Sequence, residues 1–189
     1  MRHRIFIAIN LPENIRKKLA GFEAEWPSLP ARWTKGLNLH ITLIFLGYLN
    51  DEELLEVCRL TKKAAERNPG FQVAFTKICY GPAGKTPPRM VWAVGKKSPE
   101  FSILRDDLEK TFLQSEKVSF SREEKSFSPH ITLARIRRWD WRKIEPEERL
   151  NIDKDVSLVF DVDSIEVMES ESKKGGPVYT IIESHNLKT

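Results

Sequence analysis

The chain has 189 residues and a net charge of +4, with 40% hydrophobic and 31% charged residues. This length suits one domain or two tightly fused lobes, and the composition implies no long disordered region. No uninterrupted apolar run reaches ~18 residues and no signal peptide stands at the start, so no membrane segment is expected and we predict a cytoplasmic protein. Cys58 and Cys79 lie in apolar segments, which favours buried thiols over a disulfide or a metal pair.

In chain order, the first predicted element is a buried strand over residues 5–9, which are apolar and rich in β-branched side chains. Apolar residues then recur at helical spacing over residues 15–26, where they predict a helix that prolines end. Residues 39–46 predict a second strand. Asn50 and the acidic residues after it predict the N-cap and first turn of a second helix.

Alternating or continuous apolar residues predict further strands over residues 71–79, 90–94, 128–136, 156–168 and 178–183. Between these strands lie a loop rich in proline and glycine at 81–89 and a helix that Ser98 caps. A charged stretch at 137–149 predicts an excursion on the surface. A turn at 175–177 separates the last two strands.

The order strand, helix, strand occurs twice, over residues 5–46 and 90–136, and each copy ends in a strand that carries the tetrapeptide HITL. Sheets bury one face against another layer, so each copy needs helices on one side. The sequence therefore predicts an α+β protein of two similar lobes, each with a sheet and outer helices, within a single domain over residues 1–189.

The two HITL segments have the residue types that phosphate chemistry needs. Side chains two apart in a strand share a face, so His40 points with Thr42, and His130 with Thr132. Cleavage of a cyclic phosphodiester needs one group that takes a proton from water and another that gives one to the leaving oxygen. Histidine does either near neutral pH, and a threonine hydroxyl can donate to the charged phosphate oxygens.

Paired histidines also occur in metal sites, but the surroundings of this pair argue against one. A catalytic zinc ion takes three protein ligands. No Asp, Glu or Cys lies within four residues of His40 or His130, and His3 and His185 are near the termini. We therefore predict that the protein uses no metal and no other cofactor.

Several longer stretches extend the likeness beyond HITL: RIFIAINLP, NLHITLIFLG, PPRMVWA, FSPHITLARI and GGPVYTII. The pair of H-x-T motifs resembles the two-histidine phosphoesterase superfamily. The longer stretches resemble its RNA 2′,3′-cyclic phosphodiesterase branch, also named the 2′-5′ RNA ligase family. They follow one another from end to end, so the resemblance covers nearly the whole chain.

The resemblance implies a bilobal fold with mainly antiparallel sheets, a pseudo-two-fold axis and an active-site groove between the lobes. It implies hydrolysis of a terminal 2′,3′-cyclic phosphate to a 2′-phosphate without a metal. The catalytic residues it implies are His40 and His130, with Thr42 and Thr132 as phosphate ligands. We favour His40 as the acid on the O3′ side and His130 as the base, an assignment that the residues alone leave open.

Arg135 matches the family's H-x-T-L-x-R pattern and would be a phosphate ligand. Strict alternation, however, puts Arg135 on the face opposite His130. The strand must therefore end or bulge there, or the side chain must curl around the sheet edge. Phe45 alternates onto the aliphatic face as well, which makes it the weakest aromatic candidate for a nucleobase contact.

Other candidate contacts are aromatic residues that could stack on a nucleobase and a cation that could guide the RNA end; they are Phe127, Trp33, Trp92 and Arg89. The expected partners are RNA 3′ ends that bear a cyclic phosphate, or small cyclic nucleotides. We expect no membrane, no obligate protein partner and a monomer. Two alternatives remain open: 2′-5′ RNA ligation in the reverse direction, and binding of RNA ends without turnover.

Overall fold

Nine strands and four α-helices make up the described part of the chain, residues 2–122, 128–174 and 176–189 of a computed structural model. The strands are β1 (His3–Asn10), β2 (Ala31–Trp33), β3 (His40–Leu49), β4 (Phe71–Gly81), β5 (Met90–Gly95), β6 (His130–Ile136), β7 (Asp153–Val162), β8 (Ser164–Lys173) and β9 (Gly176–Asn186). The helices are α1 (Glu13–Gly21), α2 (Asp51–Arg67), α3 (Pro99–Leu113) and α4 (Arg138–Arg142).

The strands form one sheet in the order β7-β4-β5-β6-β3-β1-β8-β9, and β2 pairs with β6 outside this path. All of the ladders between these strands are antiparallel. The two HITL strands, β3 and β6, are neighbours at the centre. Each is followed outward by the first strand of its own repeat, β1 on one side and β5 on the other. The expected α+β fold with two similar lobes is therefore confirmed.

Helices α2 and α3 pack against this sheet, and against each other, with the predicted apolar stripes. α2 contacts β1, β3, β8 and β9, and α3 contacts β3, β4 and α2. Both predicted N-caps are confirmed. The Asn50 side chain accepts a hydrogen bond from the Glu53 amide at 2.9 Å, and the Glu53 carboxylate accepts one from the Asn50 amide at 2.7 Å. Ser98 accepts from the Phe101 amide at 3.1 Å. Caps of this kind contribute about 1 kcal/mol each.

Three predicted elements differ from the structure. The helix predicted over 15–26 is α1 up to Gly21 and then a 3-10 turn over Phe22–Glu25. The stretch 137–149 is not all surface, because it contains α4, and Trp141 on that helix is buried. The strand predicted over 156–168 is two strands, β7 and β8, which pair at opposite ends of the sheet.

The physical reason for the last difference is a break at Asp163, where the two-residue alternation of buried side chains changes phase from Phe160 and Val162 to Ile165 and Val167. The apolar residues on both sides lie close together in sequence, although the chain leaves β4 and crosses to β1 at this point. Residue 175 of the predicted turn lies outside the described residues, and β8 and β9 flank it as expected.

Cys58 and Cys79 are free thiols, and burial raises the pKa of Cys58 to about 12. Every helix in the described ranges is too short or too polar to cross a membrane.

His3 ties the start of β1 to two other elements. Its Nδ1 lies 2.8 Å from a Glu169 carboxylate oxygen on β8, and its Nε2 lies 2.8 Å from Asp51 at the start of α2. The hydrogen bonds to Glu169 and Asp51 raise the pKa of His3 above its ordinary value, and the bond to His3 lowers the pKa of Asp51. The protonated ring is therefore the form that the fold favours.

We expect His3→Gln to reduce the free energy of unfolding more at about pH 6 than at about pH 9. A pKa raised by folding gives stability that is full below the unfolded pKa and is lost as pH rises through the folded pKa. Urea unfolding at the two pH values measures the difference. Glu13→Gln removes an exposed ion pair with Lys17 that involves no histidine, and serves as the control. An equal loss at both pH values would contradict the prediction.

Candidate active site

The two HITL segments lie side by side, because Ile41 of β3 is directly opposite Ile131 of β6. His40 and Thr42 flank Ile41, and His130 and Thr132 flank Ile131, so all four side chains lie within one residue of this pair. In both strands the histidine and threonine are half-buried, while the isoleucine between them and the leucine after them are buried. The expected alternation is confirmed, and both histidines and both threonines line one groove between the lobes, with a volume of about 460 Å³.

A backbone carbonyl fixes each histidine ring in the same way. His40 Nδ1 donates to the Asn38 carbonyl at 2.8 Å, and His130 Nδ1 donates to the Ser128 carbonyl at 2.8 Å. A carbonyl only accepts, so the proton of each neutral ring stays on Nδ1, and Nε2 is the nitrogen that gains and loses a proton. At His40, the Thr42 hydroxyl donates to Nε2 at 3.1 Å.

Burial lowers the pKa of both His40 and His130 from the ordinary histidine value. At His40 the positive charge of a protonated His130 lowers the pKa further, so the two rings are electrostatically coupled. Both rings therefore lose a proton more readily than an exposed histidine does. A bound phosphate is anionic and favours the protonated form of a ring beside it. The pair can therefore supply one acid and one base, the two forms that proton transfer at phosphorus requires.

Each HITL strand has a β-bulge at its leucine. In β3, Thr42 is opposite Ala8 and Ile44 is opposite Ile7, so Leu43 is an extra residue. Arg105 of α3 donates to the Leu43 carbonyl at 3.3 Å. A bulge shifts the two-residue alternation by one position.

The bulge in β6 has the same form. Thr132 is opposite Trp92 and Ala134 is opposite Val91, so Leu133 is the extra residue. The Thr34 amide donates to the Leu133 carbonyl at 2.8 Å. The two bulges give β3 and β6 the same order of buried and exposed residues from the histidine to the sixth position after it.

The bulges decide where two of the candidate residues point. Arg135 returns to the side of His130 and lines the groove, so of the expected explanations the bulge is the one found. Phe45 occupies the equivalent position in β3, is 57% exposed and also lines the groove. The expectation that Phe45 lies on the aliphatic face is therefore wrong, and its physical reason is the extra residue at Leu43.

Of the other candidate RNA contacts, two line the groove, one lies outside its described lining and one lies outside the described residues. Trp33 and Trp92 both line the groove. Trp33 stacks on Trp26 with ring centroids 6.2 Å apart, whereas Trp92 stacks on His130 at 3.9 Å. Arg89 is exposed in the loop before β5 and is not among the described residues that line the groove. Phe127 lies outside the described residues.

Sequence reasoning missed several groove residues. Tyr179 of β9 and Phe6 of β1 each approach the His40 ring, with centroids 5.0 Å apart. Four cations besides Arg135 also line the groove: Arg4, Arg32, Lys35 and Arg105. The stretch GGPVYTII is the one sequence signal for Tyr179, but pairing of β9 with β8 and of β8 with β1 is needed to place it beside His40.

Metal binding has no candidate cluster in the described residues, among which no three His, Cys, Asp or Glu side chains come together in a way that could hold an ion. The groove instead contains imidazoles, hydroxyls and guanidinium groups, and the one carboxylate in its described lining, Glu109, is paired with Arg105. These groups can move protons and neutralise an anion.

Comparison with known proteins agrees with this chemistry. A family model described as LigT like Phosphoesterase matches residues 8–92 and 104–179. A protein of Thermus thermophilus named RNA 2′,3′-cyclic phosphodiesterase is 32% identical, over 98% of this chain and 90% of that protein. One of Methanocaldococcus jannaschii with the same name is 28% identical, over 95% of this chain and 98% of that protein.

Solved structures agree with the fold. The crystal structure of TT0787 of Thermus thermophilus matches with a TM-score of 0.82 and 30% identity over 98% of both chains. The crystal structure of E. coli LigT complexed with 3′-AMP matches with a TM-score of 0.74 and 23% identity over the whole of both chains. At that identity the second match supports the fold alone.

Proposed function

The chain belongs to the LigT-like phosphoesterase family, and on that premise we propose that it hydrolyses the 2′,3′-cyclic phosphate at an RNA 3′ end to a 2′-phosphate without a metal ion. The observation that carries the proposal is the register of β3 and β6, with Ile41 opposite Ile131. This register brings two histidines and two threonines to one groove, and each histidine has its Nδ1 fixed by a carbonyl.

In the proposed reaction, His130 Nε2 takes a proton from water, and the water oxygen forms a bond to phosphorus. The bond from phosphorus to O3′ breaks, and His40 Nε2 gives its proton to O3′. The phosphate remains on O2′, and solvent then returns the two rings to their starting protonation states. The Thr42 and Thr132 hydroxyls donate to the non-bridging oxygens, where negative charge grows, and the Arg135 guanidinium neutralises that charge.

The rest of the groove supports an RNA substrate. Phe45 and Tyr179 offer aromatic surface for a nucleobase on the His40 side. Arg4, Arg32 and Lys35 add positive charge that suits the phosphates of a strand. Since both lobes of one chain build the groove, we propose that residues 1–189 act as one domain and that a monomer is active.

A short RNA that ends in a 2′,3′-cyclic phosphate should be converted to the 2′-phosphate at an undiminished rate in excess EDTA. The expected regiochemistry follows from the acid histidine on the O3′ side, and the EDTA resistance follows from proton transfer by the side chains alone. Chromatography against 2′- and 3′-phosphate standards identifies the product. The same RNA with a 3′-hydroxyl end is the control substrate.

Each other outcome points to a different activity. A 3′-phosphate product would reverse the proposed bond cleavage. Loss of activity in EDTA that zinc restores would replace the proposal with a metal mechanism. Tight binding without turnover would indicate an RNA-end binding protein, and joining of a 5′-hydroxyl RNA in dilute solution would indicate a ligase.

A further inference from the structure

We infer that Trp92 is a positioning residue for His130: its indole holds the imidazole by its face, and Gly81 and Met90 hold the indole in place. The inference rests on the proposed function, because it concerns the histidine that we propose as the base. It gives Trp92 a role different from the nucleobase contact that the sequence suggested.

The indole and the imidazole are stacked, with centroids 3.9 Å apart and planes 27° from parallel. The two aromatic rings beside His40, those of Phe6 and Tyr179, are farther away at 5.0 Å and lie tilted or edge-on. A stack fixes the plane of the imidazole, and the hydrogen bond from Nδ1 to the Ser128 carbonyl fixes its rotation within that plane. Together the two contacts set the position of Nε2, the atom that accepts the proton.

Gly81, at the end of β4, leaves the space that the indole fills. A Cβ on Gly81 would lie 2.1–2.7 Å from three carbons of the Trp92 ring system, far inside van der Waals contact. The φ of Gly81 is not in the left-handed region that favours glycine. Space for the indole, rather than backbone conformation, is therefore the requirement for glycine at this position.

Met90 links the same indole to the threonine of the second HITL. The Trp92 Nε1 donates to the Met90 Sδ at 3.3 Å, and the Thr132 hydroxyl lies 3.9 Å from the same sulfur. The indole thus contacts His130 directly and is linked to Thr132 through the Met90 sulfur. A displacement of the indole would disturb both groups that face the phosphate from β6.

The corresponding position in the other lobe has no such ring. Ala8 of β1 is opposite Thr42 as Trp92 of β5 is opposite Thr132. Only the His130 side therefore has an aromatic face against its imidazole from this position. Such a face stabilises a cation, and His130 becomes a cation when it accepts the proton from water.

Trp92→Leu should lower kcat about 10-fold to 100-fold with KM changed less than about twofold, since a misplaced base slows the chemical step and leaves binding intact. Trp92→Phe keeps a ring face and should recover most of kcat. The acidic limb of the pH profile, which reports protonation of His130, should move to lower pH in Trp92→Leu, because the ring face that stabilises the imidazolium is lost while leucine keeps the site apolar. Trp139→Leu, an exposed tryptophan on α4 outside the groove lining, is the matched control.

Gly81→Ala tests the positioning role of the Trp92 indole without changing a side chain that lines the groove. The added methyl should push the indole away and lower kcat as Trp92→Leu does. Gly21→Ala is its control, because a Cβ there meets no atom within 4 Å. Thermal unfolding of all variants shows whether each is folded. If Trp92→Leu does not fold, the kcat of Gly81→Ala relative to that of Trp92→Phe still tests whether displacement of the indole slows turnover.

The imidazole proton signals of His130 provide a readout apart from activity. The stacked indole should shift them upfield in the unsubstituted protein, and the shift should vanish in Trp92→Leu and Gly81→Ala. A full kcat in these folded variants would overturn the inference, and so would a raised KM with kcat unchanged, which would make Trp92 a substrate contact. A protein with the NMR shift but no turnover would refute the proposed function and leave the stack in place.

Discussion

Replacing either His40 or His130 with alanine should lower turnover of an RNA 2′,3′-cyclic phosphate by about 10²-fold or more. Each substitution removes one of the two proton transfers. Neither the neighbouring threonine hydroxyl nor a water molecule in the vacated space has a pKa near neutral pH, so neither replaces the imidazole as acid or base. Because the two rings act on one phosphorus atom, the double variant should be scarcely slower than the slower single variant. This non-additivity separates a joint role from two independent binding contacts.

The measurement is kcat and kcat/KM on one short RNA for the two single variants and the double variant. The pH profile adds a second readout, since each single variant should lose one limb of the bell-shaped curve that the coupled pair gives. His3→Gln is the matched control, because His3 lies at the β1 start and contacts Asp51 and Glu169 rather than the groove. Near-normal turnover in either single variant would refute the paired acid–base proposal.

Arg135→Ala should give the second largest loss, about 10²-fold in kcat/KM, because a guanidinium beside the phosphate neutralises charge that grows during the reaction. Arg135→Lys should recover only part of it, since an ammonium lacks the planar pair of donors that fits two phosphate oxygens. Steady-state kinetics at fixed ionic strength measures both effects. Fixed salt matters because exposed positive charges also speed the encounter with RNA.

Arg138→Ala is the control for Arg135, since Arg138 is an exposed arginine three residues further on and does not line the groove. The two variants lose the same charge, so any general electrostatic effect on RNA encounter should be similar in both. An Arg135→Ala variant no slower than Arg138→Ala would show that Arg135 does not act on the phosphate.

Local sequence was sufficient for most of the elements and for the four polar residues at the centre of the site. Asn50 and Ser98 mark helix starts by hydrogen bonds that lie within four residues of chain, so their signals are local. The strand period places His40 with Thr42 without knowledge of any partner strand. These features are encoded in short segments, and the structure agrees with them.

The features that local sequence could not supply depend on a partner strand. A bulge is defined by the strand opposite, and nothing within LHITLIFL or SPHITLARI marks the leucine as the extra residue. The side on which Phe45 lies was therefore assigned wrongly, and that of Arg135 stayed open. Contacts between distant segments were also out of reach, as for Tyr179 beside His40 and Trp92 on His130.

The crossing at Asp163 has a consequence for the order in which the protein can form. The sheet arm with His130, made of β4, β5, β6 and β7, is encoded by the uninterrupted stretch 71–162. The other arm needs β1 and β3 from the beginning of the chain and β8 and β9 from its end. During synthesis the arm with His130 can pair its strands while the arm with His40 still lacks β8 and β9. Folding of the arm with His40 therefore waits for contacts of long sequence separation.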